Sequence, residues 1–463
     1  MTPNIICILI DDLGWSDLGC YNSPFYETPH IDRLSANGMR FTDAYAAAPV
    51  CSPTRASMLT GTYPATVGVT DWIDWGVGVH PARGKLIDAP YLDHLPPSDR
   101  TLPRVLKANG YQTWHVGKWH LGRAPSDPIN HGFDRSVGHT AWGLPVNGYW
   151  SPWRIPDLAD RIDGEYLTDR LTDEAIDLIR HHDGQPFFLN LWHYAVHTPL
   201  HAKADTVRKY EAKAQALGID QIAALVEGDP FPVDHRKHLR ITRRSLHSNA
   251  IYAAMIEHLD DSVGRLLEVV DQMGLTDQTV VIFSSDNGGL SSSEGSPTSN
   301  APLREGKGWL YEGGIRVPLI VKWPGVIDPG SGTTTPVTSP DLYPTILTLA
   351  GSDPIDSSCD GVNLLPLLQQ RGTLDRDAIF WHYPHYGNQG GTPASAVRWH
   401  NYKLIEFFED QRVELYDLQA DISEAHDLAA TESDLAHKLS AMLADWRNEV
   451  GALLPQPNPD YQP

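Results

Sequence analysis

Asp11-Asp12 and Asp286-Asn287 each close a short apolar run, and each sets hard oxygen donors side by side. Adjacent carboxylates repel unless a cation neutralises them, so the pairs suggest a divalent-ion site. A single Asp-Asp pair is more often a turn or a helix cap. Two pairs at the ends of similar runs carry more weight. Gly117-Lys118-Trp119-His120 follows a third run and spaces an ammonium and an imidazole two residues apart, so that both can point to one side. His197, in Val196-His197-Thr198-Pro199, and Lys307, in Glu305-Gly306-Lys307-Gly308, add a second group of each kind. Cys51 opens Cys51-Ser52-Pro53-Thr54-Arg55, and Thr60-Gly61 closes the segment. A free cysteine is ordinarily a small buried thiol. One that holds Pro53, Arg55, Thr60 and Gly61 in register is a much narrower pattern, and Arg55 lies one turn further on if a helix starts there.

The elements that must position these groups are apolar runs over 4–10, 113–116, 187–192 and 279–283, each ending in polar residues. Continuous runs of this length read as strands buried on both faces of a mainly parallel sheet. Ligands of such sheets gather beyond the carboxyl ends of the strands, so four runs can serve one site. Helical periodicity over 101–109, 167–181 and 248–273 completes an α/β pattern: a large, mainly parallel central sheet flanked by helices. Stretches 71–100, 124–160, 200–247 and 290–303 are too long for ordinary connections and are expected to wall a pocket. The character changes near residue 372. Short strands at 378–383, 394–399, 402–408 and 413–416 and an amphipathic helix over 432–450 predict a smaller antiparallel sheet with a packed helix. The expected division is therefore 1–371 and 372–463.

The Cys51 segment resembles the maturation signature of the type I sulfatases, in which that cysteine is oxidised to formylglycine. The resemblance extends over residues 11 to 307, and more loosely through the C-terminal hairpins. It implies the alkaline phosphatase-like fold and a sulfuric ester hydrolase most similar to bacterial carbohydrate sulfatases. A hydrated aldehyde would supply one hydroxyl to attack sulfur and a second to expel the captured sulfate. The resemblance further implies Ca2+, or less often Mg2+, held by Asp11, Asp12, Asp286, Asn287 and an oxygen of residue 51. It gives catalytic roles to Cys51, Arg55, Lys118, His120, His197 and Lys307. Its implied partners are a sulfated sugar and a formylglycine-generating or anaerobic sulfatase-maturing enzyme. Phosphate or phosphonate ester hydrolysis on the same fold is the alternative, with a catalytically dead glycan-binding relative behind it.

Composition sets outer bounds. The 463 residues carry 41% apolar and 20% charged side chains, ordinary for a soluble globular chain. A formal charge of −22 argues against nucleic acid and requires any anion site to be locally cationic. Four cysteines make no disulfide framework. The apolar run at 4–10 is too short for a membrane span and has no basic flank of a secretory signal. The chain as written therefore reads as cytoplasmic, or as periplasmic or secreted if a leader has been trimmed. Beyond the sulfate subsite, His80, His139, Trp142, Arg304, His382 and His385 are the expected substrate-binding residues. The last two belong to an aromatic segment, 382–393, expected to close over the pocket.

Overall fold

The computed structural model describes residues 2–352 and 359–462. Its central sheet is built from β1 (Asn4–Ile10), β2 (Met39–Tyr45), β3 (Gln112–Gly117), β4 (Arg135–Val137), β5 (Phe187–Trp192), β6 (Thr279–Ser285), β7 (Arg316–Lys322) and β8 (Ser331–Thr333). Their order across the sheet is β8-β2-β7-β6-β1-β5-β3-β4, and Val337–Thr338 pairs with β2 as a ninth strand. Neighbours are parallel except around β7, which runs against both β6 and β2. All seven residues of β1 are buried. Ile6, Ile8 and Ile10 pack on one side of the sheet, and Ile5, Cys7 and Leu9 on the other. Strand alternation thus supplies both layers, which is why the run is apolar without interruption.

The helices are α1 (Pro29–Ala36), α2 (Cys51–Thr60), α3 (Leu102–Ala108), α4 (Leu167–Arg180), α5 (Ala204–Leu217), α6 (Ala250–Gln272), α7 (Leu342–Leu349) and α8 (Ser433–Glu449). Residues of α1, α4, α5 and α6 share the layer with Ile6, Ile8 and Ile10. Those of α2, α3 and α7 share the opposite one. The Asn249 side chain caps α6 by accepting from the Ile251 and Tyr252 amides. The stretch 200–247, too long for an ordinary connection and expected to wall a pocket, holds α5 and a two-stranded hairpin of Leu225–Pro230 with Arg240–Arg244. Its polar, largely exposed strands carry no hydrophobic alternation to reveal them.

The smaller sheet is an antiparallel meander of β9 (Ala378–Tyr383), β10 (Ala394–Trp399), β11 (Tyr402–Phe407) and β12 (Val413–Asp417). One face packs Val397, Leu404 and Leu415 on Leu439, Leu443 and Trp446 of α8. Full burial of such side chains stabilises by roughly 1.5–3 kcal/mol each. The other face joins Ile379, Trp381 and Ile405 to Tyr45, Val50, Tyr311 and Ile315 of the main body. Lys403, wholly buried, bridges Glu312 at 3.0 Å and Glu424 at 2.9 Å across the same junction. The small sheet thus braces the start of α2 through Val50 and the turn before β7 through Glu312. The expected boundary at 371/372 falls in the link between Leu365–Leu368 and β9.

Candidate active site

Because β1, β3, β5 and β6 are parallel, their carboxyl ends lie on one edge of the sheet. There they deliver Asp11 and Asp12, Lys118 and His120, His197, and Asp286 and Asn287. Cys51 is the first residue of α2, and Val50 and Cys51 line the pocket at that helix N-terminus. No side chain caps the helix, so its first N–H groups and dipole favour negative charge at the pocket. Gly117 lets the chain turn out of β3 toward Lys118. Its φ is +101°, and a Cβ there would stand 2.1 Å from the Trp192 carbonyl oxygen. Asp12 and His120 themselves hold φ of 62° and 56°, a strained setting for non-glycine residues that clusters at functional sites.

The charged groups interlock. Arg55 donates from Nε to Asp286 Oδ2 at 2.9 Å and from Nη1 to the Lys118 carbonyl at 3.2 Å. Lys118 Nζ lies 2.6 Å from Asp11 Oδ2. Lys307 Nζ lies 2.8 and 2.9 Å from the two oxygens of Asp12 and 3.0 Å from His197 Nε2. The His197 Nδ1 is 2.8 Å from the Thr198 carbonyl, so Nδ1 carries a proton and Nε2 faces Lys307. His120 Nε2 likewise donates to the Ile73 carbonyl at 3.1 Å, leaving Nδ1 buried and unpartnered. Gly143 permits this placement, because a Cβ there would meet the His120 ring at 2.6 Å.

Burial and charge tune the groups. Burial pushes the Asp11 carboxyl up to about 6, against the pull of Lys118. For Asp12 burial acts in the same sense, yet Lys307 and His197 hold it below the usual carboxylate range. Burial, reinforced by Lys118, drives His120 well below the ordinary imidazole value. Burial also pushes the Cys51 thiol up to about 12, with Lys118 and Lys307 opposing. An unmodified Cys51 is therefore a neutral thiol at neutral pH and a poor nucleophile.

The donor set suits a hard divalent cation. Asp11, Asp12, Cys51 and His197 present ligand atoms within 4.8 Å of one another. Asp286 Oδ1 accepts the Asp12 amide at 3.2 Å, and Asn287 Nδ2 donates to Asp12 Oδ1 at 2.8 Å. Asp11 Oδ1 and Asn287 Oδ1 are buried with no hydrogen-bond partner. Orphaned acceptors beside clustered carboxylates are what an oxygen-coordinated ion would satisfy.

A pocket of about 200 Å³ opens over these groups, lined by Cys51, His120, His197 and Lys307 together with Trp72, Trp75, Val77, Glu294, Asn388 and Gln389. The sequence identified the stretches behind this wall but not its residues, and the lining includes none of the six expected substrate-binding residues. His382 is bonded at both ring nitrogens, to Ser395 Oγ at 2.6 Å and the Leu453 carbonyl at 2.9 Å. Arg304 donates to the Tyr416 hydroxyl and the Glu424 carbonyl and covers the Tyr311 ring, so it ties the small sheet to the body. His139 pairs with Asp157 at 2.6 Å. Trp142 packs against Trp75, one layer back from the pocket. His80 and His385 are enclosed with Asp71 and Tyr383 behind Trp72. Glu294, which belongs to no motif legible in the sequence, accepts from Thr198 Oγ1 at 3.2 Å and Gln389 Nε2 at 3.1 Å. It thereby couples the His197 loop to segment 382–393.

Comparison with known proteins agrees with this geometry. The sulfatase family model matches residues 3–352, and that of the N-sulphoglucosamine sulphohydrolase C-terminal region matches residues 306–449. A sulfatase of Formosa agariphila is 31% identical over 96% of this chain and 88% of its own length. The N-acetylgalactosamine-6-sulfatase of Homo sapiens is 34% identical over 82% of this chain and 68% of its own. The crystal structure of Ps i-CgsB in complex with k-i-k-neocarrahexaose superposes with a TM-score of 0.76 at 28% identity, covering 96% of this chain and 93% of that one. With its mainly parallel sheet and small antiparallel sheet, the chain belongs to the sulfatase family, a group of sulfuric ester hydrolases of alkaline phosphatase-like fold.

Proposed function

We propose that this chain removes sulfate from a sulfated saccharide, acting at a sugar unit seated in the pocket and using formylglycine made from Cys51. The observation that carries the reading is the convergence of Lys118, His120, His197 and Lys307 on residue 51 beneath a wall of Trp72, Trp75, Glu294, Asn388 and Gln389. Indole faces suit sugar C–H surfaces, and the carboxylate and amides suit hydroxyls. A volume below the roughly 300–1,000 Å³ of larger ligand sites fits a chain-end unit better than a polymer threaded through. The human relative is an N-acetylgalactosamine-6-sulfatase, and Ps i-CgsB was crystallised with an oligosaccharide.

Once oxidised and hydrated, residue 51 supplies one hydroxyl to attack sulfur and another to expel it. A divalent cation held by Asp11, Asp12, Asp286 and Asn287, Ca2+ by its all-oxygen donors or else Mg2+, supplies Lewis-acid charge beside that oxygen. The remaining work falls to the chain. Arg55 fixes Asp286 and adds buried positive charge. Lys118 and Lys307 stabilise charge on the sulfuryl oxygens. His197, when both ring nitrogens carry protons, gives the Nε2 proton to the departing sugar oxygen, and Lys307, 3.0 Å away, is the competing donor. His120 takes the proton of the second hydroxyl at its free Nδ1, so that sulfate can leave. Maturation needs a formylglycine-generating or anaerobic sulfatase-maturing enzyme.

The test is free sulfate measured from a panel of sulfated mono- and oligosaccharides, an aryl sulfate and an aryl phosphate, with protein coexpressed with a maturing enzyme. Release from a sulfated sugar supports the reading. Turnover of the phosphate alone would replace it with phosphate ester hydrolysis.

A further inference from the structure

Behind Trp72 lies a second cluster of ligating side chains that the sulfatase chemistry does not use. His80 Nδ1 is 3.4 Å from Asp71 Oδ2 and 3.6 Å from Asp88 Oδ2, and His385 Nδ1 is 3.9 Å from the same oxygen of Asp71. The Asp71, Asp88 and His385 side chains are wholly inaccessible to solvent, and that of His80 is 7% exposed.

The hydrogen bonds of the cluster point the same way. Asp71 Oδ1 accepts from the Trp72 amide at 2.8 Å and the Tyr383 hydroxyl at 2.9 Å, while its Oδ2 has no hydrogen-bond partner. His385 Nε2 is held by Thr70 Oγ1 at 2.8 Å, while its Nδ1 has none. Asp88 Oδ1 is fixed by the Tyr386 amide at 2.9 Å and its Oδ2 by the Ala82 amide at 2.8 Å. Neither ring nitrogen of His80 has a hydrogen-bond partner. Asp71 and His385 thus each have one atom oriented by the protein and the other left free toward the cluster, as outer-shell partners orient metal ligands. Among the described residues no lysine or arginine pairs with Asp71 or Asp88. His80, which lies against both carboxylates, can offset only one of their two charges, and a buried charge left over is costly.

We propose that Asp71, His80 and Asp88, whose ligand atoms all lie within 4.8 Å of one another, form a structural zinc site with His385 at its edge. Bonds of roughly 2.0–2.1 Å in a tetrahedron separate ligand atoms by roughly 3.3–3.4 Å, close to the distances of 3.4 and 3.6 Å here. Two carboxylates and one neutral imidazole around Zn2+ make a neutral buried unit. The mixed nitrogen and oxygen donors select zinc, whereas the carboxylate-rich site at Asp11, Asp12 and Asp286 suits calcium once residue 51 offers an oxygen. Asp71 and His80 also bracket residues 72–79, which carry Trp72, Trp75 and Val77 of the pocket wall. The ion would close that loop at both ends and hold the wall in place.

The experiment uses the full chain, stripped with a chelator, dialysed into excess calcium to fill the oxygen site, and titrated with zinc chloride. Elemental analysis is expected to find about one zinc retained per chain, with a Tm several degrees higher than with calcium alone. Cobalt(II) in place of zinc is expected to give the strong visible absorption of a tetrahedral complex. His80→Gln and Asp88→Asn are each expected to weaken zinc retention at least about tenfold. Asp71→Asn carries the same comparison if those variants do not fold. Wild-type protein that retains no zinc in calcium, or variants that retain it unchanged, would overturn the proposal.

Discussion

Arg55 Nη2 and Asp286 Oδ2 meet at 2.7 Å with both side chains wholly buried. The same guanidinium reaches the Lys118 carbonyl and lies over the Trp192 ring at 5.0 Å, so it ties α2 to three strand ends. Removing one partner of a buried pair leaves the other uncompensated. Arg55→Ala is therefore expected to cost about 3–5 kcal/mol in urea unfolding. The double variant Arg55→Ala/Asp286→Ala is expected to lose less than the sum of the single changes.

In the proposed mechanism His197 and Lys307, whose nitrogens lie 3.0 Å apart, compete as donors to the leaving oxygen. His197→Ala is expected to slow sulfate release from a sugar, a poor leaving group, by about 10²–10⁴-fold. An activated aryl sulfate needs little protonation, and its kcat is expected to fall far less. Steady-state rates of the two substrates with both His197→Ala and Lys307→Ala identify the donor, because the donor's removal produces the larger gap between them.

Gly143→Ala places a methyl carbon 2.6 Å from His120 Cε1, in a ring with no free space to yield. Turnover is expected to fall by about 10²-fold, as for an ångström-scale misplacement of a catalytic group. Circular dichroism and Tm are expected to stay near wild type, which separates a displaced imidazole from a damaged fold.

Glu424 gives a pH signature at the junction of the two sheets. Burial pushes its carboxyl from 4.5 to about 7, against the pull of Lys403, with Glu312 reinforcing the rise. A raised acid binds its proton more tightly when folded. This contribution to stability is thus complete below the unfolded value of 4.5 and is lost as pH rises through about 7. Denaturant titrations across that window are expected to show a fall in stability that Glu424→Gln flattens. An identical slope in the variant would assign the pH dependence elsewhere.

Sequence legibility followed burial. The runs at 4–10 and 187–192 match β1 and β5 residue for residue, because both faces of these strands are covered and every position but Asn4 and Asn190 is apolar. β2 and β7 escaped notice. β2 mixes Arg40, Thr42 and Asp43 with its apolar residues, and β7 opens on Arg316, whose charge is met by Glu312 four residues before it and by Asp43 far along the chain. At the site, Asp11, Asp12, Lys118, His120, His197, Asp286 and Asn287 were legible because they follow strands, and Cys51 because it opens a helix, each within a local motif, whereas Lys307 sits in a loop. The pocket wall was not. Histidines 80, 382 and 385 are chemically suggestive in sequence, but their ring nitrogens turn to protein partners or to an inner cluster. Glu294 reaches the site only because a loop between distant elements folds over it.

The site at Asp11 and Asp12 is tested by chelation. Exhaustive treatment of matured protein with EDTA is expected to abolish sulfate release, and calcium added together with zinc enough to fill the inner cluster is expected to restore it while zinc alone does not.

The most direct test of the central claim is sulfate release from a sulfated saccharide plotted against the fraction of chains carrying formylglycine at position 51, measured by mass spectrometry on preparations matured to different extents. The account predicts a proportional line through the origin, with Cys51→Ala lying on it at zero. Release that persists undiminished in chains with unmodified Cys51, or in Cys51→Ala, would contradict it.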